Sequence, residues 1–200
     1  MSSTFLSKFI ASILLLVIAA GWYYGTYLPF RKSQLLILSI QGANAAKSLS
    51  DFKDSFSASL DFYSPVGQSE SVKHMTNTVF NIVNQLNIPA EGLTDLIGFV
   101  EKYSRPILQA KQGDGLTQQF YVSGDLYRAA GFKYNNPEYL KKAEETYKEG
   151  LTLSPKRPQF LYGLLQIYLQ ANNIEGANET MKKILEYWPN DPEIQKMIKK

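Results

Sequence analysis

The chain contains no cysteine and a single histidine, His74. The first absence removes disulfides, thiolate nucleophiles and thiolate-ligated zinc or iron–sulfur sites, and it leaves the redox compartment open. One histidine rules out an all-histidine metal site within the chain. Net charge is also small, at +3, far from the basic footprint of a nucleic-acid binder, so no nucleic-acid partner is expected. The GxSxG elbow, the HExxH pair, a Gly-rich phosphate loop ending in Lys-Ser/Thr and a GxGxxG turn are all missing. No catalytic residue, metal or cofactor can therefore be assigned, and the chain is expected not to be an enzyme. His74 lies beside Lys73 and off the Val72, Met75, Val79, Val83 stripe, which reads as a surface imidazole. Glu144, Glu145 and Glu149 alternate with Lys141, Lys142 and Lys148, the pattern of a solvated helix face with i,i+4 pairs.

What is present begins with an apolar run. Phe9 to Phe30 is 22 residues without a charge, and about 20 apolar residues span a hydrocarbon core. Trp22, Tyr23, Tyr24 and Tyr27 follow the aliphatic block, and then come Arg31 and Lys32. Aromatic rings followed by cations is the order expected at a membrane interface. Residues 9–30 thus read as a single transmembrane helix in contact with the lipid bilayer. A cleaved signal peptide is the competing reading, with Lys8 as n-region and Val17 and Ala19 at the cleavage positions, and a buried helix of a soluble protein is a third. Residues 1–50 carry Lys8, Arg31, Lys32 and Lys47 and no acid, which leaves 17 basic and 18 acidic side chains elsewhere. The excess after the span (Arg31, Lys32, Lys47 against Lys8 and the α-amine) places the C-terminal bulk in the cytoplasm by the positive-inside bias. Arg31 and Lys32 are also positioned to attract acidic lipid, at about 1 kcal/mol each.

Beyond the span the pattern is helical throughout, and 44% hydrophobic composition argues for a folded domain. Ser33 to Leu60 reads as two helices with a turn at Gly42 and Asn44, and its Phe52, Phe56, Leu60 face resembles half of a worn repeat unit. Tyr63-Ser64-Pro65-Val66-Gly67 breaks the helix. Val72, Met75, Val79 and Val83 mark the next, ending near Asn87. Pro89 starts another that carries Leu93, Leu96, Ile97 and Val100 and is expected to close before Arg105-Pro106. A Gly113-Asp114-Gly115 loop follows.

From Gln118 to Pro189 the chain repeats. Leu161, Leu164 and Tyr168 are followed by Ala177, Met181 and Pro189; Phe120, Gly124 and Tyr127 are followed by Ala143, Tyr147 and Pro155. Pro155 and Pro189 are 34 residues apart. This period and residue order resemble the tetratricopeptide (TPR) repeat, two antiparallel helices per unit. The small residues Gly124, Ala143, Gly150 and Ala177 are expected to let backbones approach closely. Such a unit cannot bury its apolar face alone and stacks on a neighbour. The expected fold is all-α: an N-terminal transmembrane helix, then antiparallel helix pairs stacked as a short TPR-like solenoid. The expected segments are an anchor (1–32), a helical region (33–116) and the repeats (117–200, with units at about 117–155 and 158–189). A last short helix from Asp191-Pro192-Glu193 to Lys196, Lys199 and Lys200 is expected to act as a cap or as a third repeat cut short.

The TPR resemblance implies a scaffold that binds a protein or peptide in a groove lined by the first helix of each pair. Its groove positions fall on Gln118, Tyr121, Asp125 and Arg128 in the first unit, and on Gln159, Tyr162, Gln166 and Gln170 in the second. Helical spacing independently puts each set along one face. The first unit is longer by seven residues near Gly131–Pro137, because 16 residues separate Tyr127 from Ala143 where 9 separate Tyr168 from Ala177. The extra length is expected to form a loop between the helices, either tolerated or available to a partner. Asn178-Glu179-Thr180 matches a glycosylation sequon inside a predicted helix. No feature sets the oligomeric state.

A second resemblance covers the first half. Tyr27-Leu28-Pro29-Phe30-Arg31-Lys32-Ser33-Gln34-Leu35-Leu36 resembles the exit from the last transmembrane helix of O-antigen ligase/polymerase-like membrane proteins. Tyr63-Ser64-Pro65-Val66-Gly67-Gln68-Ser69-Glu70 resembles a tract in bacterial members that carry C-terminal TPR repeats. Those enzymes join a lipid-linked glycan to its acceptor with many spans and a large loop carrying Arg and His. With one span and no such loop, the resemblance implies a tail or accessory piece without the transferase.

Overall fold

The structure, a computed structural model, describes residues 3–111, 113 and 115–198. Asp114 of the expected Gly113–Gly115 loop, the C-terminal Lys199 and Lys200, and Met1 and Ser2 lie outside the described residues. Every regular element among the described residues is helical. The chain divides into two compact units, one up to Val72 and one from Lys73.

In the first unit, α1 (Ser3–Trp22) passes through one π-helical turn (Tyr23–Tyr27) into α2 (Leu28–Ala45) without a break. The widened turn directly precedes Pro29, whose ring excludes an ordinary α-turn against the carbonyl four residues back. Leu6–Ala45 is long and apolar enough to cross a membrane, and none of its apolar window is buried within the molecule. Tyr27 stacks with Trp22 and Tyr23 at ring separations of 5.8 and 5.5 Å. The expected turn at Gly42 and Asn44 lies four residues later, at 46–48, and α3 (Leu49–Asp61) folds back on α2. Gly42 lies within α2 and faces Ser55: a Cβ there would lie 2.8 Å from the Ser55 Oγ. Ser48 caps α3 by accepting from the Asp51 N–H, and Phe52, Phe56 and Leu60 are buried.

Lys32 corrects the sequence reading. It is only 2% exposed, and its ammonium donates to the Ser59 carbonyl, the Phe62 carbonyl (2.9 Å) and the Gln68 Oε1. It holds the C-terminal end of α3 and does not face lipid; the negative end of the helix dipole and the unpaired carbonyls are the reason. Arg31 remains the accessible cation of the pair, half-buried and bonded to Gln34.

In the second unit, α4 (Gln68–Gln85, divided by the unit boundary) and α5 (Ala90–Ala110) precede the hairpins α6–α7 (Leu116–Lys133, Pro137–Leu153) and α8–α9 (Ile174–Tyr187 preceded by Pro158–Gln170), with α10 (Pro192–Ile198) last. Pro106 does not end α5 as expected. Buried Val100, Tyr103 and Ser104 hold the helix in place through the proline.

The seven extra residues form no loop. Both hairpins turn through three residues, Tyr134-Asn135-Asn136 and Ala171-Asn172-Asn173, with the middle Asn left-handed (φ 48° and 52°) and the last Asn capping the next helix. Asparagine suits the left-handed position because its short polar side chain tolerates it. Tyr127 precedes Asn135 by eight residues where Tyr168 precedes Asn172 by four, and Asn136 precedes Ala143 by seven where Asn173 precedes Ala177 by four. The insertion therefore adds four residues to α6 and three to α7. That lengthens the hairpin by about one turn, roughly 6 Å, and keeps both helix faces in register. The added tip is committed within the unit. Lys133 donates to the Val83, Asn84 and Leu86 carbonyls at 2.7–3.1 Å, and the Tyr134 hydroxyl donates to the Ile88 carbonyl and accepts from its N–H.

Neighbouring units are joined by the same bond twice. Tyr168 of α8 donates to Glu144 of α7 at 2.8 Å, and Tyr127 of α6 donates to Glu101 of α5 at 3.0 Å. Thus α5 stands to α6 as α7 stands to α8. Glu144 also pairs with Lys148 (2.6 Å), and Glu101 with Lys142 (2.7 Å). Glu144 is accordingly more than part of a solvated face. His74 is half-buried, and Asn178 of the sequon is exposed on α9.

Candidate protein-binding groove

Aromatic residues build the α6–α8 junction. Tyr147 of α7 is fully buried between two glycines, Gly124 of α6 and Gly163 of α8. A Cβ on either would lie 2.5 Å from its ring, and a Cβ on Gly150 would lie 2.4 Å from Phe160. The small residues thus make room for rings, where close backbone approach was expected. Phe160 completes the seam, tilted at 6.1 Å from Tyr147 and edge-on at 6.5 Å from Tyr121.

The phenol of Tyr147 reaches out of this seam into a polar cluster. It donates to Asp125 Oδ1 at 2.7 Å and accepts from Arg128 Nε at 3.2 Å, while Arg128 Nη2 closes on Asp125 at 2.8 Å. Burial, then the Asp125 carboxylate, pushes the Tyr147 phenol well above the usual tyrosine range. Burial and a hydrogen bond with Asp125 move Tyr121 in the same direction. The Arg157 guanidinium lies 5.7 Å from the centre of the Tyr121 ring and donates to Gln118.

Above this cluster α6 and α8 leave an open groove of about 300 Å³. Tyr121, Asp125 and Arg128 line it from one side; Gln159, Tyr162 and Gln166 line it from the other, with Pro158 and Gly163 between them. Six of the eight residues assigned from the sequence therefore meet in one place. The other two do not line it. Gln118 is half-buried under Arg157, and Gln170 is exposed at the last turn of α8. Gln159 and Gln166 are exposed at the surface. Tyr162 is held by a hydrogen bond to Asp191, which also caps α10 by accepting from the Glu193 and Ile194 N–H groups. That phenol and those N–H groups hold the Asp191 carboxyl below the usual carboxylate range.

Sequence reasoning missed Tyr147, Gly163 and Arg157 as parts of the site. Tyr147 was legible only as a packing position of the repeat. The available signal was that Gly163 and Gly124 interrupt otherwise good helices, where glycine costs about 1 kcal/mol unless something large needs the space.

A second cleft of about 440 Å³ lies among α5, α6 and α7, with Glu101, Arg105, Leu108, Tyr127 and Lys142 among its lining. It surrounds the Tyr127–Glu101–Lys142 bonds that join the units.

Comparison with known proteins bears on the last part of the chain only. No curated protein and no solved structure matches, so the likeness to O-antigen ligase-like proteins has no counterpart here beyond the two quoted tracts. Residues 140–200 match the tetratricopeptide repeat family, from within α7 through α10, and over that stretch the chain is similar to a class of repeats that act as protein-interaction scaffolds.

Proposed function

We propose that this chain is a single-pass membrane protein that holds a TPR-like helical domain at the bilayer and binds a segment of another protein in the α6–α8 groove, without catalysis of its own. The observation that carries the reading is the convergence of Tyr121, Asp125, Arg128, Gln159, Tyr162 and Gln166 on one open groove. Arg128 is neutralised by Asp125, so the groove offers little net charge. Its exposed glutamines each present a donor and an acceptor, which suits the backbone of a bound peptide. Tyr121 and Tyr162 supply the aromatic, polar-tipped surface common at binding hot spots.

Membrane attachment is supported by the apolar stretch from Leu6 to Tyr27, whose large apolar side chains are exposed and whose apolar window is unburied within the molecule; a core helix of a water-soluble protein would be buried. Cleavage near Ala19 would cut inside α1. The cations after the span favour a cytoplasmic helical domain.

Two measurements test the proposal. Carbonate extraction should leave the full-length chain in the membrane; release of a mature form starting near residue 20 would establish secretion instead. A photo-crosslinker at position 166 should capture a specific protein. That adduct should vanish in Gln159→Arg, while the same probe at position 141, on the outer face of α7, captures nothing. Equal capture at both positions would remove the groove from the account.

A further inference from the structure

We infer that the Tyr63–Val66 loop is a second membrane contact, seated in the lipid headgroup layer beside the anchor helix. The inference rests on the single-span reading above and goes beyond it in assigning lipid to a segment distant from the span in sequence.

Three observations set the loop's height. First, the aromatic cluster Trp22–Tyr27 ends five residues before Lys32, about 7.5 Å along a helix axis. Each interfacial layer of a bilayer is roughly 5–7 Å thick, so with the rings at headgroup depth the Lys32 backbone lies near the outer edge of that layer. Second, side chains on a helix slope toward its N-terminus. The Lys32 ammonium therefore lies nearer the bilayer than its own Cα, and it is bonded to the Phe62 carbonyl at 2.9 Å. Third, Gly67, at φ +88°, packs on the Lys32 stem so closely that a Cβ there would lie 3.2 Å from Cγ.

Both ends of the loop are thus tied to one buried lysine, and residues 63–66 are left to project at that level. What they project is apolar: Tyr63 is 69% exposed and Val66 58% exposed, with Pro65 exposed between them. Phe30, one turn past the aromatic cluster on α2, is 59% exposed. Tyrosine with aliphatic neighbours is the composition that partitions to the interface. The two tracts singled out in the sequence, 27–36 and 63–70, are the ones that meet at Lys32. A shared height against the bilayer gives that meeting a purpose.

The chain has no native cysteine, so single-cysteine variants of the full-length protein carry one label each. Val66→Cys, Tyr63→Cys, Ser48→Cys and Leu15→Cys, labelled with a nitrobenzoxadiazole dye, are reconstituted in phosphatidylcholine vesicles with lipids spin-labelled near the headgroup or deep in the acyl chain. Circular dichroism confirms that each variant keeps its helical content. Labels at 63 and 66 should be blue-shifted and quenched at least twofold more by the shallow spin label than the label at 48, at the far end of the α2–α3 hairpin. The label at 15 should be quenched by the deep one. Quenching at 63 and 66 no greater than at 48, with position 15 still deep, overturns this inference alone. Absence of deep quenching at 15 overturns the anchor, and this inference with it.

Discussion

The Tyr147 hydroxyl donates to Asp125 Oδ1 at 2.7 Å across the α6–α7 hairpin, so the deepest ring of the repeat seam and the floor of the groove are one unit. Substituting Phe keeps the ring but leaves Asp125 and Arg128 without their shared partner. Tyr147→Phe should lower stability by about 1–3 kcal/mol, the range for a part-buried bond to a charged group, and should weaken crosslinking at position 166 because the Asp125–Arg128 pair loses the phenol that fixes it. Denaturant unfolding of the detergent-solubilised chain, read by circular dichroism, measures the first effect.

The ring cannot yield to either side. Gly163→Ala places a methyl 2.5 Å from Tyr147 Cε2 while Gly124 blocks retreat, so a loss of about 1–3 kcal/mol is expected from overpacking. Gly98 is the opposite case. It is helical and exposed, with nothing within 4 Å of a Cβ, so Gly98→Ala should gain about 0.5–1 kcal/mol from helix propensity. Parallel denaturation curves check the opposite signs.

Lys133 tests whether the lengthened hairpin serves its own unit. Lys133→Met retains the stem and removes the donor to three carbonyls at the end of α4. Hydrogen exchange at residues 84–88 should accelerate tenfold or more, which corresponds to about 1.4 kcal/mol, while capture at position 166 stays unchanged. Unaltered exchange would show that the tip is available to a partner.

Stability should fall at both ends of the pH scale for separable reasons. Burial keeps the Tyr147 phenol protonated in the fold, whereas in the unfolded chain it ionises at its ordinary value of 10.0. The folded state then binds more protons, and stability drops as pH rises above about 10. For Glu144 burial opposes the charge, but the hydrogen bonds from Lys148 and Tyr168 outweigh it and lower its pKa below 4.5. Its contribution is present above that value and is lost as pH falls through the lower folded one. Tyr147→Phe should flatten the alkaline limb and Glu144→Gln the acid limb; absorbance titration of the phenols and unfolding curves from pH 3 to 11 report each.

Much of the candidate site is legible in the sequence. Helix period and proline stops locate α6 to α9, and the repeat register brings Tyr121, Asp125 and Arg128 opposite Gln159, Tyr162 and Gln166, because side-chain direction on a helix follows from position alone. The lengthened unit is ambiguous in the sequence for a definite reason. Tyr134, Asn135 and Pro137 are turn residues, but loop residues and an added helical turn on each side consume chain identically, and only the repeated Asn-Asn turn tells them apart. Gln118 and Gln170 fell on the correct face and missed the groove because it is shorter than the helices that border it.

Composition and periodicity alone made this an all-helical chain with one exposed apolar run, since burying or covering a 3.6-residue stripe is dictated by local order. Which cation faces water and which is sealed under a helix end was decided only by tertiary packing. Lys32 and Arg31 are adjacent and chemically alike, yet α3 returns its open carbonyls to one of them. The same holds for Tyr147. Its sequence position names an aromatic, but its place between Gly124 and Gly163, with Asp125 at its hydroxyl, exists only once three helices are in contact.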